Sequence, residues 1–263
     1  MMNFKQAFDA AKRHARDEYP RESCGLVVDD EYVPCVNVAR PADTHEANNP
    51  DCMCQLCSFR ISTEIMVKYH GRIQMVLHSH PGGPTHPSVT DAESQIKSGL
   101  PWGLIALDDE RISDVLTWGD MLPVQPVLGR QFVHYAADCF TLIRDAFRLG
   151  EEGITAHGVE GWPYPPVPMK DCPREDGWWE ADYDLYTENA PKWGFREIAL
   201  DHARPGDVFL TSVRSKKLNH GGVLVGGGMI LHHLPGRLSR REPAGIWARA
   251  AHKWMRYEGP TDA

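Results

Sequence analysis

The stretch from Val76 to Asp91, VLHSHPGGPTHPSVTD, holds two histidines one residue apart, a proline that stops them, and a serine and an aspartate three residues apart. Side chains alternate faces along a strand, so His78 and His80 project from the same side of one. Pro81 ends that strand, the glycines and prolines of 82–87 make a turn, and Ser88 and Asp91 start the next helix. Two imidazoles and one carboxylate are three protein ligands with a fourth tetrahedral position left over, the pattern of a catalytic Zn²⁺ site, not a closed structural one. Such an ion acidifies a water toward neutrality and makes it a nucleophile. His86, inside the turn, reads as an exposed turn residue. PDCMCQLC adds Cys52, Cys54 and Cys57, whose C-x-C-x-x-C spacing suits a soft metal or a cluster, although four ligands are not all local. Cys35, His45 or a partner protein could complete the set; three loop thiols without function are the plainer expectation.

In the second half, AADCFTLIRDAF puts Cys139 in the first turn of a helix, where unsatisfied amides and the helix dipole stabilise a thiolate. A nucleophilic cysteine needs a base. The histidine-rich candidate is NHGGVLVGGGMILHH, two strands around a glycine turn. If the loop is Gly226 to Gly228, Val225 faces Met229, and His220 and His232 share a face; with a two-residue turn His233 takes that place. Either histidine could orient His220 as the base.

The elements that must position these groups follow from the rest of the 263 residues. Phe4, Ala7, Phe8 and Ala11 predict an opening helix closed by Pro20. CGLVV and YVPCVNVA read as strands, STEIMVKYHG as a helix with Ser62 as N-cap and Gly71 as stop, and RIQMVLH as a central strand. TDAESQIKSG reads as a helix and WGLIALDDERISDVLTW as a hairpin. After GDMLPVQPVLGRQ come the Cys139 helix and strands at DVFLTS, GGVLVG and MILHHL. The fold class is α/β and α+β, with domains over 1–120 and 133–256 and a linker over 121–132. Six of the eight tryptophans follow residue 160; the proline- and tryptophan-rich stretch 161–195 reads as irregular surface structure for docking other proteins. Cys172 has no partner that spacing suggests.

Hydrophobic residues make up 42% and charged residues 24%, a globular balance. A net charge of −8 without a basic stripe argues against nucleic-acid binding; Arg237 to Arg241 reads as a solvated loop. The charged first twenty residues and the lack of an apolar run of membrane length predict neither export signal nor membrane insertion, hence a cytosolic start. Seven cysteines in such a compartment suggest metal, catalysis or burial before disulfides.

The string His78-Ser79-His80-Pro81, six residues, Ser88, two residues, Asp91, with Glu22 in RESCGLVV before an early strand, resembles the JAMM (MPN-plus) zinc metallopeptidases over roughly residues 3–120. The resemblance implies a mixed sheet with flanking helices. It further implies that His78, His80 and Asp91 bind Zn²⁺, that Glu22 is the general base, and that the Ser88 hydroxyl steadies the oxyanion. The DC helix start, RPGDVFL, HGGVLVG and a second histidine twelve residues on resemble the NlpC-type cysteine peptidases over about 130–250. Those are papain-like enzymes with an antiparallel sheet that cut the peptide stems of bacterial cell wall. By that resemblance Cys139 attacks, His220 is the base and His232 orients it, with His233 in reserve. Tyr135 is too close to Cys139 to match the upstream tyrosine of some relatives, which leaves the oxyanion donor open.

The two halves in this order resemble the tail tip assembly proteins of lambda-type siphophages, with PVLGRQFVHYAADCFTLIRDAF and ILHHLPGRLSRR adding to the match. The implied role is tail assembly or entry with two hydrolase sites, a cysteine endopeptidase for peptidoglycan stems and a zinc (iso)peptidase. The implied partners are other tail tip proteins and peptidoglycan, and the implied location is the host cytoplasm during assembly and then the virion tail tip. The rival readings are a structural tail component with vestigial sites and a cellular peptidase acting on ubiquitin-like conjugates.

Overall fold

In the computed structural model, which describes residues 4–46, 49, 52–181 and 184–259, the chain opens with helix α1 (Lys5–Glu18). Its buried residues Ala7, Ala11 and Ala15 recur every fourth position, one stripe of a helix, and pack on Met75, Leu77, Ile105 and Leu107. Strands β1 (Cys24–Val28) and β2 (Glu31–Cys35) form a hairpin. Val36 and Val38, expected inside β2, lie beyond its end and are exposed. The Asn37 amide explains the stop: it donates to the carbonyls of Glu22 and Ser58, both 3.0 Å away, and the chain turns there.

Helix α2 (Thr63–Lys68) starts on Ser62, whose hydroxyl accepts from the Ile65 amide. Strand β3 (Ile73–Pro81) follows, then α3 (Val89–Ser98), β4 (Trp102–Leu107) and β5 (Leu116–Trp118). The sheet order is β2-β1-β3-β4-β5. Only β3 and β4 run parallel, because α3 carries the chain back between them. This is the expected mixed sheet with helices, and β3 occupies its centre, buried from Met75 to His80.

The chain separates into two compact units between Pro123 and Val124. Val127 and Arg130, inside the stretch expected as linker, are buried in the second unit, where Arg130 Nη1 lies 2.7 Å from the Asp145 carboxylate. Helix α4 (Cys139–Ala156) is kinked at Gly150, which adopts φ 63°. After it come α5 (Leu185–Asn189), β6 (Phe195–Ile198), β7 (Val208–Thr211), β8 (His220–Val225), β9 (Met229–His232), β10 (Arg240–Pro243), α6 (Gly245–Ala250) and β11 (Lys253–Tyr257). The six strands form one antiparallel sheet, ordered β10-β9-β8-β7-β11-β6, and α4 packs on β8.

Two sequence expectations change here. The tryptophan-rich stretch is not all surface: Trp162 is fully buried, edge-on to Phe147 at 4.9 Å, and Trp193 packs 5.0 Å from Phe140. Large rings are needed to fill the space between α4 and the sheet, and this stretch supplies them. Arg240 and Arg241, read as loop, begin edge strand β10, because pairing with β9 satisfies their backbone.

Candidate active sites

Strand alternation brings His78 and His80 to one face of β3, and the turn to α3 returns Asp91 to them. The Nε2 atoms of His78 and His80 each lie 3.3 Å from an Asp91 carboxylate oxygen and 3.3 Å from one another. His80 Nδ1 is 3.0 Å from the Pro84 carbonyl, which makes that nitrogen a donor and points Nε2 toward Asp91. Phe59 stacks on His78 at 4.7 Å, with Trp102 and Trp118 edge-on, so the ring sits in an aromatic box. Three converging ligand atoms with an outer hydrogen bond on one imidazole are a donor set that fits Zn²⁺.

Ser88 is the N-cap of α3 and Asp91 its N3 residue, and the two form a reciprocal capping box. The Ser88 hydroxyl donates to Asp91 Oδ2 at 2.7 Å and accepts from the Asp91 amide at 3.1 Å. The one hydroxyl hydrogen is thus aimed at Asp91. Burial works against the Asp91 carboxylate, but the charges and hydrogen bonds of His78 and His80 overcome it and hold the group well below the usual range.

Glu22 reaches the site through strand register. Cys24 pairs with His78, and Ser23 and Ser79 exchange backbone and hydroxyl bonds, so the same register continued sets Glu22 opposite His80. Glu22 is 6% exposed, and burial pushes its carboxyl up to about 8; His80 opposes that shift and Asp91 adds to it. A pocket of about 450 Å³ is lined by Glu22, His80, Ser88 and Asp91, and on another side by Cys57 and Phe59. His86 is half-buried, with Nδ1 3.2 Å from the Pro87 carbonyl, outside this pocket lining.

In the second unit Cys139 is the first residue of α4, behind Asp138, whose carboxylate accepts from the Thr141 amide at 2.8 Å. Buried Arg174 clamps Asp138 with two bonds of 2.7 and 2.8 Å and also donates to the Tyr135 carbonyl. The Cys139 sulfur lies 3.3 Å from the Tyr186 hydroxyl of α5 and 3.9 Å from the Asn219 carbonyl, next to the backbone that carries His220. Loss of water and the Asp138 carboxylate push the thiol up to about 11, although Tyr186 and the Gly221 amide act the other way. The resting group is therefore a thiol, where helix position alone predicted a thiolate: burial disfavours the charged sulfur, and the Asp138 carboxylate adds to that.

The β8–β9 loop is the three-residue one, Gly226–Gly228, with Val225 opposite Met229. His220 and His232 accordingly share a face, with Nε2 of the first 3.1 Å from Nδ1 of the second. His233 has the opposite parity and packs against Phe132. Gly222 pairs with His232; a Cβ there would lie 2.7 Å from the His232 Cβ, so the missing side chain lets the strands hold the rings together.

The sequence reading missed the next residue in line. His232 Nε2 lies 2.9 Å from Glu242 Oε1, and Trp247 Nε1 donates to the same oxygen while its ring packs on both histidines. Arg240 pairs with His232 across the strands, so Glu242, two residues on, shares its face. Recognising β10 as a strand would have exposed it. Tyr186 and Arg174 sit in the aromatic stretch read as docking surface, where no spacing marked them. Burial pushes His220 down to about 3, with His232 and His233 adding to the effect, so the ring is neutral.

Residues 4–118 match the family described as prokaryotic homologs of the JAB domain, and residues 117–256 match the NlpC/P60 family. Both are peptidase families. Tail tip assembly protein K of Escherichia phage lambda is 34% identical over 194 residues, 73% of this chain and 86% of its own length. The protein of the same name from Escherichia phage N15 is 31% identical over 263 residues, covering 97% of this chain and 95% of its own. With a JAB-type half followed by an NlpC/P60 half, and relatives matched along most of their length, the chain belongs to the NlpC/P60 family and, as a two-domain whole, to the family of the tail tip assembly proteins K.

Proposed function

We propose that this chain is a tail tip assembly and entry protein with two hydrolase sites. One is a papain-like cysteine endopeptidase cutting the peptide stems of peptidoglycan; the other is a zinc-dependent JAMM-type (iso)peptidase. It works beside other tail tip proteins, in the host cytoplasm during assembly and at the virion tail tip. The single observation that carries the reading is the hydrogen-bonded chain behind His220, whose neighbour Asn219 has its carbonyl 3.9 Å from the Cys139 sulfur. Glu242 accepts from His232 Nε2–H, so the neutral His232 has its lone pair at Nδ1; that atom accepts from His220 Nε2–H, which leaves the His220 lone pair at Nδ1.

His220 Nδ1 then takes the thiol proton as the sulfur bonds to the carbonyl carbon of the scissile peptide. The same nitrogen returns that proton to the leaving amine as the C–N bond breaks, and water hydrolyses the thioester. Tyr186, with its hydroxyl 3.3 Å from the sulfur, donates to the developing oxyanion, the role left open by the sequence. Asp138, held by Arg174, caps the helix and so sets the position of the sulfur.

In the first unit His78, His80 and Asp91 would hold the zinc, which would supply Lewis acidity to a substrate carbonyl. Glu22, buried in the same pocket, takes a proton from the attacking water once its own carboxyl is ionised and gives it to the leaving group. Ser88 orients Asp91 and turns its hydroxyl to the oxyanion when Asp91 Oδ2 is otherwise engaged. The test is release of peptide fragments from purified peptidoglycan: Cys139→Ala lowers turnover by on the order of 10³-fold or more while the fold, followed by circular dichroism, is unchanged. Unaltered turnover would refute the nucleophile.

A further inference from the structure

Between β2 and α2, at another wall of the pocket that Glu22, His80 and Asp91 line, four more ligand atoms converge. His45 Nδ1 lies 3.8 Å from Cys52 Sγ, 3.5 Å from Cys54 Sγ and 3.2 Å from Cys57 Sγ. Cys54 Sγ and Cys57 Sγ are 3.7 Å apart, and all four atoms lie within 4.8 Å of one another. A tetrahedral zinc with bonds of about 2.3 Å to sulfur and about 2.0 Å to nitrogen requires edges of about 3.8 Å between sulfurs and about 3.5 Å between sulfur and nitrogen. The sulfur–nitrogen separations of 3.2, 3.5 and 3.8 Å bracket the second edge, and the 3.7 Å between Cys54 and Cys57 matches the first. A disulfide needs about 2.05 Å between sulfurs, and all seven cysteines are free thiols. An iron–sulfur cluster carries its thiolates around an inorganic core and would spread them further than a single ion does.

We propose that His45, Cys52, Cys54 and Cys57 bind a second Zn²⁺ in a closed, four-ligand structural site. Two features beyond the distances favour it. Cys52 and Cys54 are buried, and weak thiol hydrogen bonds would be small return for burying sulfurs around an imidazole, whereas a metal bond is ample return. The guanidinium of Arg40 stands 4.0 Å from Cys52 Sγ, where it offsets the net negative charge of three thiolates on one dication.

The site would brace the wall of the first-unit pocket. Gln55, between the ligands, accepts from the Glu22 amide at 2.7 Å, and its own amide donates to the Arg40 carbonyl at 2.9 Å. Cys52 and Cys57 also line that pocket together with Glu22 and Asp91. Of the completing ligands that spacing allowed, the fold chooses His45; Cys35 stays in β2, its sulfur 3.6 Å from the Val33 carbonyl.

The full chain, purified without added metal, is analysed for metal by plasma mass spectrometry and then reconstituted with Co²⁺. Two zinc equivalents per chain are expected, with Cys54→Ser and Asp91→Asn each losing a different one. Intense near-ultraviolet thiolate-to-cobalt absorption should appear in the unaltered chain and in Asp91→Asn, and vanish in Cys54→Ser. Because Cys54→Ser could lose its fold, the unaltered chain is also alkylated: Cys52, Cys54 and Cys57 should react only after chelation. Thiols that alkylate equally with and without chelator, no thiolate-to-cobalt absorption in the unaltered chain, or a Cys54–Cys57 disulfide in freshly isolated protein would overturn the proposal. One zinc equivalent with the cobalt absorption intact would support this site and count against the His78 group instead.

Discussion

Glu242 sets the tautomers of two rings through one bond to His232, and the consequence is measurable. Gln at 242 can donate as well as accept, so His232 can flip its proton to Nδ1 and His220 loses its fixed lone pair. Glu242→Gln should lower kcat for wall peptides by on the order of 10²-fold with little change in KM, read from steady-state kinetics. His220 carries a second prediction, about pH. Its folded value of about 3 lies below the unfolded 6.5, so between those values the unfolded chain binds the extra proton. Stability from this residue is therefore complete above about pH 6.5 and falls as pH falls, by about 2 kcal/mol at pH 5. Urea denaturation at pH 7 and pH 5 measures the difference, and His220→Gln should remove that part of it. The identities at 78, 80, 91, 139 and 220 were readable because their spacing obeys strand and helix periods. Glu242 and Tyr186 were not, because each reaches its partner from an element whose type the local sequence did not reveal.

Elements hold these groups through backbone register as much as through side chains. In the first unit the Ser23–Ser79 bonds lock β1 against β3, and a slip of one residue would turn Glu22 away from His80. In the second, Gly222 stands opposite His232 where a methyl would meet the Leu231 carbonyl at 2.6 Å and the His232 Cβ at 2.7 Å. Gly222→Ala should force β8 and β9 apart, costing about 1–3 kcal/mol in thermal unfolding and lowering turnover through the His220–His232 separation. A variant that melts and turns over as the parent does would refute that account of the glycine. The glycine turn was legible as two alternatives, since length sets parity; only the folded hairpin, with three residues between Val225 and Met229, selects His232 over His233.

At the scale of the whole molecule, two units with separate cores imply separable losses. A zinc chelator should abolish any activity of the first unit and lower its melting temperature, yet leave peptidoglycan hydrolysis by the second intact; loss of both activities would show that wall cleavage depends on metal. Among the described residues no helix is long and apolar enough to cross a membrane. The sequence by itself determined the two-part order, the α/β and α+β class, and the ligand and nucleophile candidates, because periodicity, turn residues and motif spacing are local properties of a chain; the mixed and the antiparallel sheet were what the family resemblances implied. Only the tertiary structure decided which distant groups meet: Glu22 beside His80, Tyr186 at the sulfur, Glu242 behind His232, His45 among three cysteines. Those meetings depend on strand order and register, which are set by burying two cores at once and leave no trace in the spacing of any single segment.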